Sequence, residues 1–440
     1  MNKYFGTDGI RGSYGSEMMN EAFARKVGHA IGVFIKNDLQ GIPTVVVASD
    51  TRPSGESLKQ SLILGLREMD IQVLDFGVVP TPTLAFGILK HKATFGVMIT
   101  ASHNPFTDNG IKCFTANATK LEPEEELQLE DLIAQKHPVS NSGPEPISLA
   151  VDEMYLQHIW QHFSQLDLSG MPIALDCANG ATKVTTPLLL EKLGAAVSCI
   201  HNGDGMINEK CGSEHMESLQ NLVISEKAVI GIAHDGDGDR VRLVDRTGEV
   251  IDGDQILGLL ALYAKREGKL RSSTFVSTIH SNQGLSSSLL KHDISLFTSD
   301  VGDRHVYLKM REKGSNWGGE SSGHIICTDY LPTGDGLFAA LSVLQTMQMQ
   351  NSSIDRLAEE IQLWPSLSGS FAVSSKPPIE DIPELSEGFK YAVEQLGQDG
   401  RILLRYSGTE PKIRLLVEGK SLQLIEPHYK NLSQLIQKEL

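Results

Sequence analysis

Four short stretches of this chain carry side chains that could act on a phosphate ester. The first is Thr100-Ala101-Ser102-His103-Asn104-Pro105. It ends an apolar run, and ligands in α/β sheets bind where strands end. Serine is a weak nucleophile and needs a base or nearby cations. His103, and Lys112 in Asp108-Asn109-Gly110-Ile111-Lys112, could supply them. Taken alone, the stretch reads equally well as a side-chain-bonded turn before proline. The second is Asp235-Gly236-Asp237-Gly238-Asp239-Arg240. Three alternate carboxylates, on a backbone that glycine lets curl, can converge on one hard cation through oxygen ligands. A calcium-sensing loop would need Gly sixth and Glu twelfth, where this chain has Arg240 and Arg246. A plain solvated turn is the weaker alternative, because adjacent like charges repel without a cation among them.

The third stretch is Gly318-Gly319-Glu320-Ser321-Ser322-Gly323-His324. It fits G-x-S-x-G, the nucleophile elbow of hydrolases, which requires a strand before it and a helix after it. Here polar Lys313 to Trp317 precede it and strand-like Ile325-Ile326-Cys327 follows, so the hydrolase reading is rejected. A carboxylate among hydroxyls suits recognition of sugar hydroxyls instead; His324 by itself would be a surface histidine. The fourth is Arg405-Tyr406-Ser407-Gly408-Thr409-Glu410-Pro411, with Lys412 and Arg414 close behind. Hydroxyls, amides near glycine and arginine forks suit a bound phosphate, against the plainer reading of a decorated hairpin turn. Gly419-Lys420-Ser421 imitates the end of a P-loop, but Arg414 stands where the earlier glycine is required, so no nucleotide site is indicated.

The elements that must position these loops alternate strand and helix. Phe23, Val27, Ile31 and Phe34 fall at helical spacing, while Thr44 to Ser49, Ile71 to Phe76 and Phe95 to Thr100 read as buried strands. Further strands are expected near Ile173 to Asp176, Ala196 to Ile200, Ala228 to His234, Thr274 to Ile279 and Ile294 to Thr298. A Pro/Ser/Gly-rich stretch from His137 to Pro146 marks a first boundary, and the hairpin-like Asp245 to Asp254 a second. The segment Pro365 to Pro383 sets off a last, smaller domain and is the expected hinge. The division expected is 1–145 with the serine loop, 146–250 with the carboxylate loop, 251–365 with the sugar loop, and 366–440 with the phosphate loop. The fold class is α/β: three similar α/β domains with mixed sheets plus a smaller C-terminal α+β domain, around a central cleft.

Length and composition agree with several domains: 440 residues exceed what one core usually supports. No apolar run reaches the ~18 residues of a membrane span; Ile256 to Ala264 stops at Lys265 and Arg266 and reads as a buried helix. No signal-peptide pattern opens the chain. Five cysteines without a C-x-x-C pair point to reduced thiols in a cytoplasm rather than a disulfide framework or zinc site. A formal charge of −16 disfavours nucleic acid and anionic membranes as partners. A small phosphate can still bind where the few cations converge.

Together, the ASHNP serine loop, DGDGDR metal loop, GE-x-SGH sugar loop and SGTEP phosphate loop, in this order and spacing, resemble the α-D-phosphohexomutase family over essentially the whole chain. The resemblance implies that Ser102 is the phosphoserine, and that Asp235, Asp237 and Asp239 hold one Mg²⁺ together with the Ser102 phosphate. Glu320 and Ser322 would read sugar hydroxyls. Arg405, Ser407, Gly408, Thr409 and Arg414 would take the phosphate that is not reacting. Arg11, His103, Lys112, Arg240 and His324 match cationic active-site positions, with Lys112 a proton-shuttle candidate. Phe5 to Gly12, Asp108 to Lys112 and Gly400 to Gly419 look most like the bacterial branch acting on glucosamine phosphates. Ser321 and Tyr406 depart from it, standing where an amide and a lysine are common. The implied reaction interconverts glucosamine 6-phosphate and glucosamine 1-phosphate, with glucosamine 1,6-bisphosphate as intermediate and activator, feeding UDP-N-acetylglucosamine and cell-wall synthesis. A kinase or a sugar bisphosphate would prime Ser102. Glucose or mannose phosphates are the alternative substrates. A phosphatase and a catalytically dead binding protein are the rivals of another class.

Overall fold

A computed structural model of the chain describes residues 3–6, 8–36, 43–139, 143–407 and 411–440. The first sheet has seven strands, ordered Phe5–Gly6, Gly9–Ser13, Asp108–Thr115, Phe95–Ile99, Thr44–Ser49, Gln72–Val78 and Ile147–Ser148. Thr44–Ser49 pairs in parallel with Phe95–Ile99 and Gln72–Val78, while Asp108–Thr115 runs antiparallel to both its neighbours. The sheet is therefore mixed, and its parallel centre is apolar on both faces because helices cover both.

The helix Glu21–Lys36 buries Phe23, Val27 and Ile31 as their spacing predicts. It packs on the helix Gly55–Glu68 with almost no side chain between them. A Cβ on Gly28 would lie 2.4 Å from the Leu62 carbonyl oxygen, and one on Gly65 2.2 Å from that of Arg25. Each buried aliphatic side chain beneath contributes about 1.5–3 kcal/mol, and the close approach lets them meet.

Two further mixed sheets follow. Val241–Asp245, Ile230–His234, Pro172–Asp176 and Ala196–Ile200 form the second, antiparallel only at the Val241–Asp245 edge. Ser295–Ser299, Thr274–Thr278, Trp317–Gly319, Ile325–Cys327 and Leu331–Gly334 form the third. Ile256 to Ala264 lies in the buried helix Gly253–Arg266, as expected. The last sheet has three antiparallel strands, Ser366–Ala372, Lys412–Gly419 and Gly400–Tyr406, backed by the helices Pro383–Leu396 and Leu422–Glu439.

Two expectations are corrected here. The segment Pro365 to Pro383 is not a bare hinge: Ser366–Ala372 pairs along its length with Lys412–Gly419. Serine, glycine and alanine dilute its hydrophobicity, which hid the strand. A strand, Trp317–Gly319, also precedes the Gly318–His324 loop. The hydrolase elbow still fails, because another strand, Ile325–Cys327, follows where a helix is required.

The chain forms two compact units. One comprises the residues up to Ile279 with Leu296–Ala358, and the other His280–Ser295 with Glu359–Leu440. The excursion His280–Ser295 is tied into the second unit through Asn282, which donates to the Trp364 carbonyl at 2.9 Å and accepts from its amide at 2.8 Å. Among the described residues, no helix is long and apolar enough to cross a membrane.

Candidate active site

Ser102 follows the carboxyl end of Phe95–Ile99, and the carboxylate loop follows the carboxyl end of Ile230–His234. Carboxyl ends of parallel strands thus bring a nucleophile and a candidate metal-binding loop together from two different sheets. Ser102 adopts a left-handed conformation, φ 52°. Its amide donates to Thr100 Oγ1 at 2.9 Å, and its hydroxyl donates to Asp235 Oδ2 at 2.7 Å. His103 Nδ1 lies 3.3 Å from the same hydroxyl oxygen. The serine is only 1% exposed.

Asp235, Asp237 and Asp239 are all buried, with one oxygen from each lying within 4.8 Å of the others. Burial, then the Asp239 and Asp237 charges, push the Asp235 carboxyl well above the usual range. Two carboxylate oxygens, Asp237 Oδ1 and Asp239 Oδ1, are buried without a hydrogen-bond partner. Such oxygens are costly unless something cationic meets them. Two unpartnered carboxylate oxygens beside a third aspartate suit a divalent cation such as Mg²⁺, so the residues present fit the group that the sequence resemblance implies.

The cations around this cluster are fixed on the carboxylates. Lys112, fully buried, donates to Asp237 at 2.8 Å and Asp239 at 2.9 Å, and lies 3.1 Å from Asp8. Burial opposes its charge, but the three carboxylates outweigh that and hold it as an ammonium. It therefore meets the aspartates rather than the serine hydroxyl. Arg11 and Lys120 both pair with Asp8, whose carboxyl they and Lys112 hold well below the usual range despite burial. Arg11 also reaches Asn104 Oδ1 at 3.4 Å.

Arg240 donates its amide to Asp235 at 3.2 Å and bridges to His324 across an isolated pair. His324 is buried 3.6 Å from Asp239 and 3.7 Å from Asp303, so it is not the surface histidine its own position would suggest. Burial lowers its pKa, but Asp239, Asp303 and Glu320 lift it to about 9. His103 goes the other way: burial, then Arg240 and Arg11, push it down to about 4 and leave a neutral imidazole at pH 7. Glu320 is half-buried, with one oxygen accepting the Gly302 amide at 2.9 Å; Ser322 is half-buried beside it.

Sequence reasoning missed Asp8, Thr81, Lys120 and Asp303, which complete this network. Thr81 donates to Asp237 at 2.5 Å. Asp8 carried a signal, standing three residues before Arg11 in a glycine-rich opening. Thr81, Lys120 and Asp303 carried none, since nothing local ties them to the loops they meet.

The second unit has a separate pocket of about 640 Å³, lined by Ser368, Ser370, His280, Arg405 and Arg414. Arg405 and Arg414 are direct cross-strand partners. Both side chains line the pocket, and a guanidinium fork matches the oxygens of a phosphate. Burial, then Arg405, Arg401 and Arg414, lower the His280 pKa. Ser407 is buried; its amide donates to the Lys412 carbonyl at 2.8 Å and its carbonyl accepts from Lys376 at 2.5 Å. Gly408 and Thr409 lie outside the described residues.

Four models described as phosphoglucomutase/phosphomannomutase match: alpha/beta/alpha domain I over residues 2–139, domain II over 153–248, domain III over 252–363 and the C-terminal domain over 370–427. A phosphoglucosamine mutase of Sulfurovum sp. (strain NBC37-1) is 38% identical over 433 residues, covering 96% of each chain. Another, from Halalkalibacterium halodurans, is 38% identical over 448 residues, covering 100% of this chain and 99% of the relative. A phosphoglucomutase/phosphomannomutase family protein of Burkholderia thailandensis shares the fold at TM-score 0.83 and 24% identity, over 98% of this chain and 97% of its own. The N-acetylphosphoglucosamine mutase of Aspergillus fumigatus, solved with GlcNAc-6P and magnesium, has TM-score 0.68 at 18% identity, over 99% of this chain and 96% of its own.

Proposed function

This chain belongs to the phosphoglucomutase/phosphomannomutase family, the α-D-phosphohexomutases, and from that premise we propose that it interconverts glucosamine 6-phosphate and glucosamine 1-phosphate in the cytoplasm. The observation that carries the chemistry is the Ser102 hydroxyl lying 2.7 Å from Asp235, within a buried triad of aspartates. A serine held there can exchange a phosphoryl group where charge is best compensated. The curated relatives, matched along their whole length, carry the choice of sugar.

Asp235, Asp237 and Asp239 would hold Mg²⁺, which when bound neutralises charge on the transferring group. Phosphoryl transfer is otherwise mostly a matter of positioning and electrostatics. Phosphorylated Ser102 gives its group to the sugar 1-hydroxyl: the Oγ–P bond breaks, a bond from the sugar oxygen to phosphorus forms, and the hydroxyl proton ends on the serine oxygen that is released. The resulting 1,6-bisphosphate returns its 6-phosphate to Ser102 after turning over. Arg11, Arg240 and protonated His324 offset the negative charge, and Lys112 keeps the aspartates in place. His103, neutral and within reach of the serine oxygen, is placed to take up the proton as Ser102 is rephosphorylated. Glu320 and Ser322 read sugar hydroxyls. Arg405, Ser407, Gly408, Thr409 and Arg414 are assigned the idle phosphate. A kinase or a sugar bisphosphate loads Ser102 first.

The test is a side-by-side assay of glucosamine, glucose and mannose 6-phosphates with Mg²⁺ and their own 1,6-bisphosphates. Glucosamine 6-phosphate should give the highest kcat/KM. A site that hydrogen-bonds the 2-amine specifically could discriminate by about 10²-fold or more. Equal efficiency with glucose, or a preference for mannose, would reassign the sugar while keeping the phosphoserine. Net release of inorganic phosphate would replace the mutase with a phosphatase.

A further inference from the structure

The serine loop is gripped from behind by a side chain that the proposed chemistry does not use. Arg52 is wholly buried, and every one of its side-chain N–H donors is spent within a few ångströms of Ser102. Nε donates to Asp50 at 3.0 Å. One terminal nitrogen donates to the carbonyls of Pro105 at 2.5 Å and Asp108 at 2.8 Å. The other donates to the carbonyls of Ser102 at 2.9 Å and Asn104 at 2.8 Å. A guanidinium has five N–H donors in a rigid fork, and all five are matched here.

Two other features point the same way. Asn208, from the second sheet's domain, places its Nδ2 on the same two carbonyls, at 2.7 Å to Ser102 and 3.0 Å to Asn104. Asp50 accepts from Thr100 Oγ1 at 2.6 Å, and that same oxygen accepts the Ser102 amide at 2.9 Å. The backbone of Ser102 is thereby held on both sides, in a left-handed conformation that a non-glycine residue keeps only when its surroundings over-determine it.

We propose that Arg52 is a positioning residue for phosphoryl transfer: its fork, seconded by Asn208, sets the backbone from which Ser102 Oγ points at the carboxylate triad. This rests on the mutase reading of the site. The donor count makes the requirement specific, because a lysine would keep the charge but supply three donors from a single point. A displacement of the serine by about 1 Å is enough to cost on the order of 10²-fold in rate.

The experiment compares wild type, R52K, N208A and R52A in the full chain. With a glucosamine 6-phosphate assay, R52K should lose about 100-fold in kcat while KM for the sugar changes by less than about threefold, a split that lost substrate binding does not produce. Guanidinium ion should restore kcat to R52A where ammonium at the same concentration does not. N208A should fall in the same direction by a smaller factor. Active-site titration by transfer of ³²P to Ser102 normalises each rate to the protein that can be loaded. Wild-type kcat in R52K after that normalisation, or a loss confined to KM, overturns the proposal. Should wild type itself turn over none of the sugar phosphates, the mutase reading fails separately. Hydrogen exchange then decides on the clamp: amides of residues 102–108 should exchange at least about tenfold faster in R52K than in wild type with the remaining strands unchanged, and equal exchange overturns it.

Discussion

Ser102 and Asp237 show how much one side chain can carry in this site. The hydroxyl of Ser102 is already on Asp235, so its removal takes away the phosphoryl carrier and leaves the cluster standing. Ser102→Ala is expected to lose phosphate from the active-site peptide and to fall ~10³-fold or more in turnover, read by intact mass, peptide mapping and rate. Asp237 has one oxygen on Lys112 and Thr81 and the other without a partner. Asp237→Asn removes a charge from the proposed metal triad and one of the lysine's counter-ions together. The variant should be severely slowed and need more Mg²⁺ for half-maximal activity, which a metal titration of initial rates measures. Full activity at unchanged metal concentration would remove the DGDGDR loop from the metal site.

Helices and their ends set the frame for these residues. The helices Glu21–Lys36 and Gly55–Glu68 approach through Gly28 and Gly65, and a methyl at Gly65 would strike the Arg25 carbonyl at 2.2 Å. Gly65→Ala should therefore lower stability by ~1–3 kcal/mol, seen as a lower Tm by circular dichroism. A different helix carries a pH dependence. Asp335 caps Gly336–Gln350 by accepting the Phe338 amide at 2.9 Å, and also accepts from Tyr155 at 2.8 Å. Burial pushes its carboxyl up to about 6, although those hydrogen bonds pull the other way. An unfolded aspartate titrates near 3.9. The folded state thus favours the protonated acid: its stabilisation is complete below about pH 4 and is lost as pH rises through about 6. Asp335→Asn removes that dependence. Urea unfolding across this range should show wild type losing about 3 kcal/mol relative to the variant between low and neutral pH, then no further change.

At the scale of the whole molecule, two compact units each bring their own charged site. One holds the serine, the aspartates and their cations. The other holds the pocket of Arg405, Arg414 and His280. A phosphate clamp acts on ground state and transition state alike, so Arg414→Ala should mainly raise KM. A charge-assisted hydrogen bond is worth ~1.5–3 kcal/mol, which sets the expected rise at about tenfold to a hundredfold. Steady-state kinetics separate the two parameters, and a large fall in kcat at constant KM would move Arg414 to the reacting phosphate.

The chemistry of this protein is legible in its sequence because the loops that perform it are contiguous. Within each loop the reactive residues stand close together, Asp235, Asp237 and Asp239 at alternate positions and Glu320 two before Ser322, and the apolar runs ahead of the serine and carboxylate loops announce the strands. Unbroken apolar runs likewise disclosed the central strands, buried on both faces, and 3.6-residue spacing the helix Glu21–Lys36. Ser366–Ala372 escaped because a strand rich in small and polar residues leaves no such mark. What only the tertiary structure decided is which charges meet. Lys112 could have served the serine and instead neutralises Asp237 and Asp239, 125 and 127 residues away. His324 keeps a charge against burial because Asp239 and Asp303 stand beside it, and His103 loses one to burial beside Arg240 and Arg11. Arg52 became the support of Ser102 across 50 residues of chain. Charge and hydrogen bonding act through space over a few ångströms, and two positions far apart in the chain acquire that distance only when the sheets bring their strand ends together.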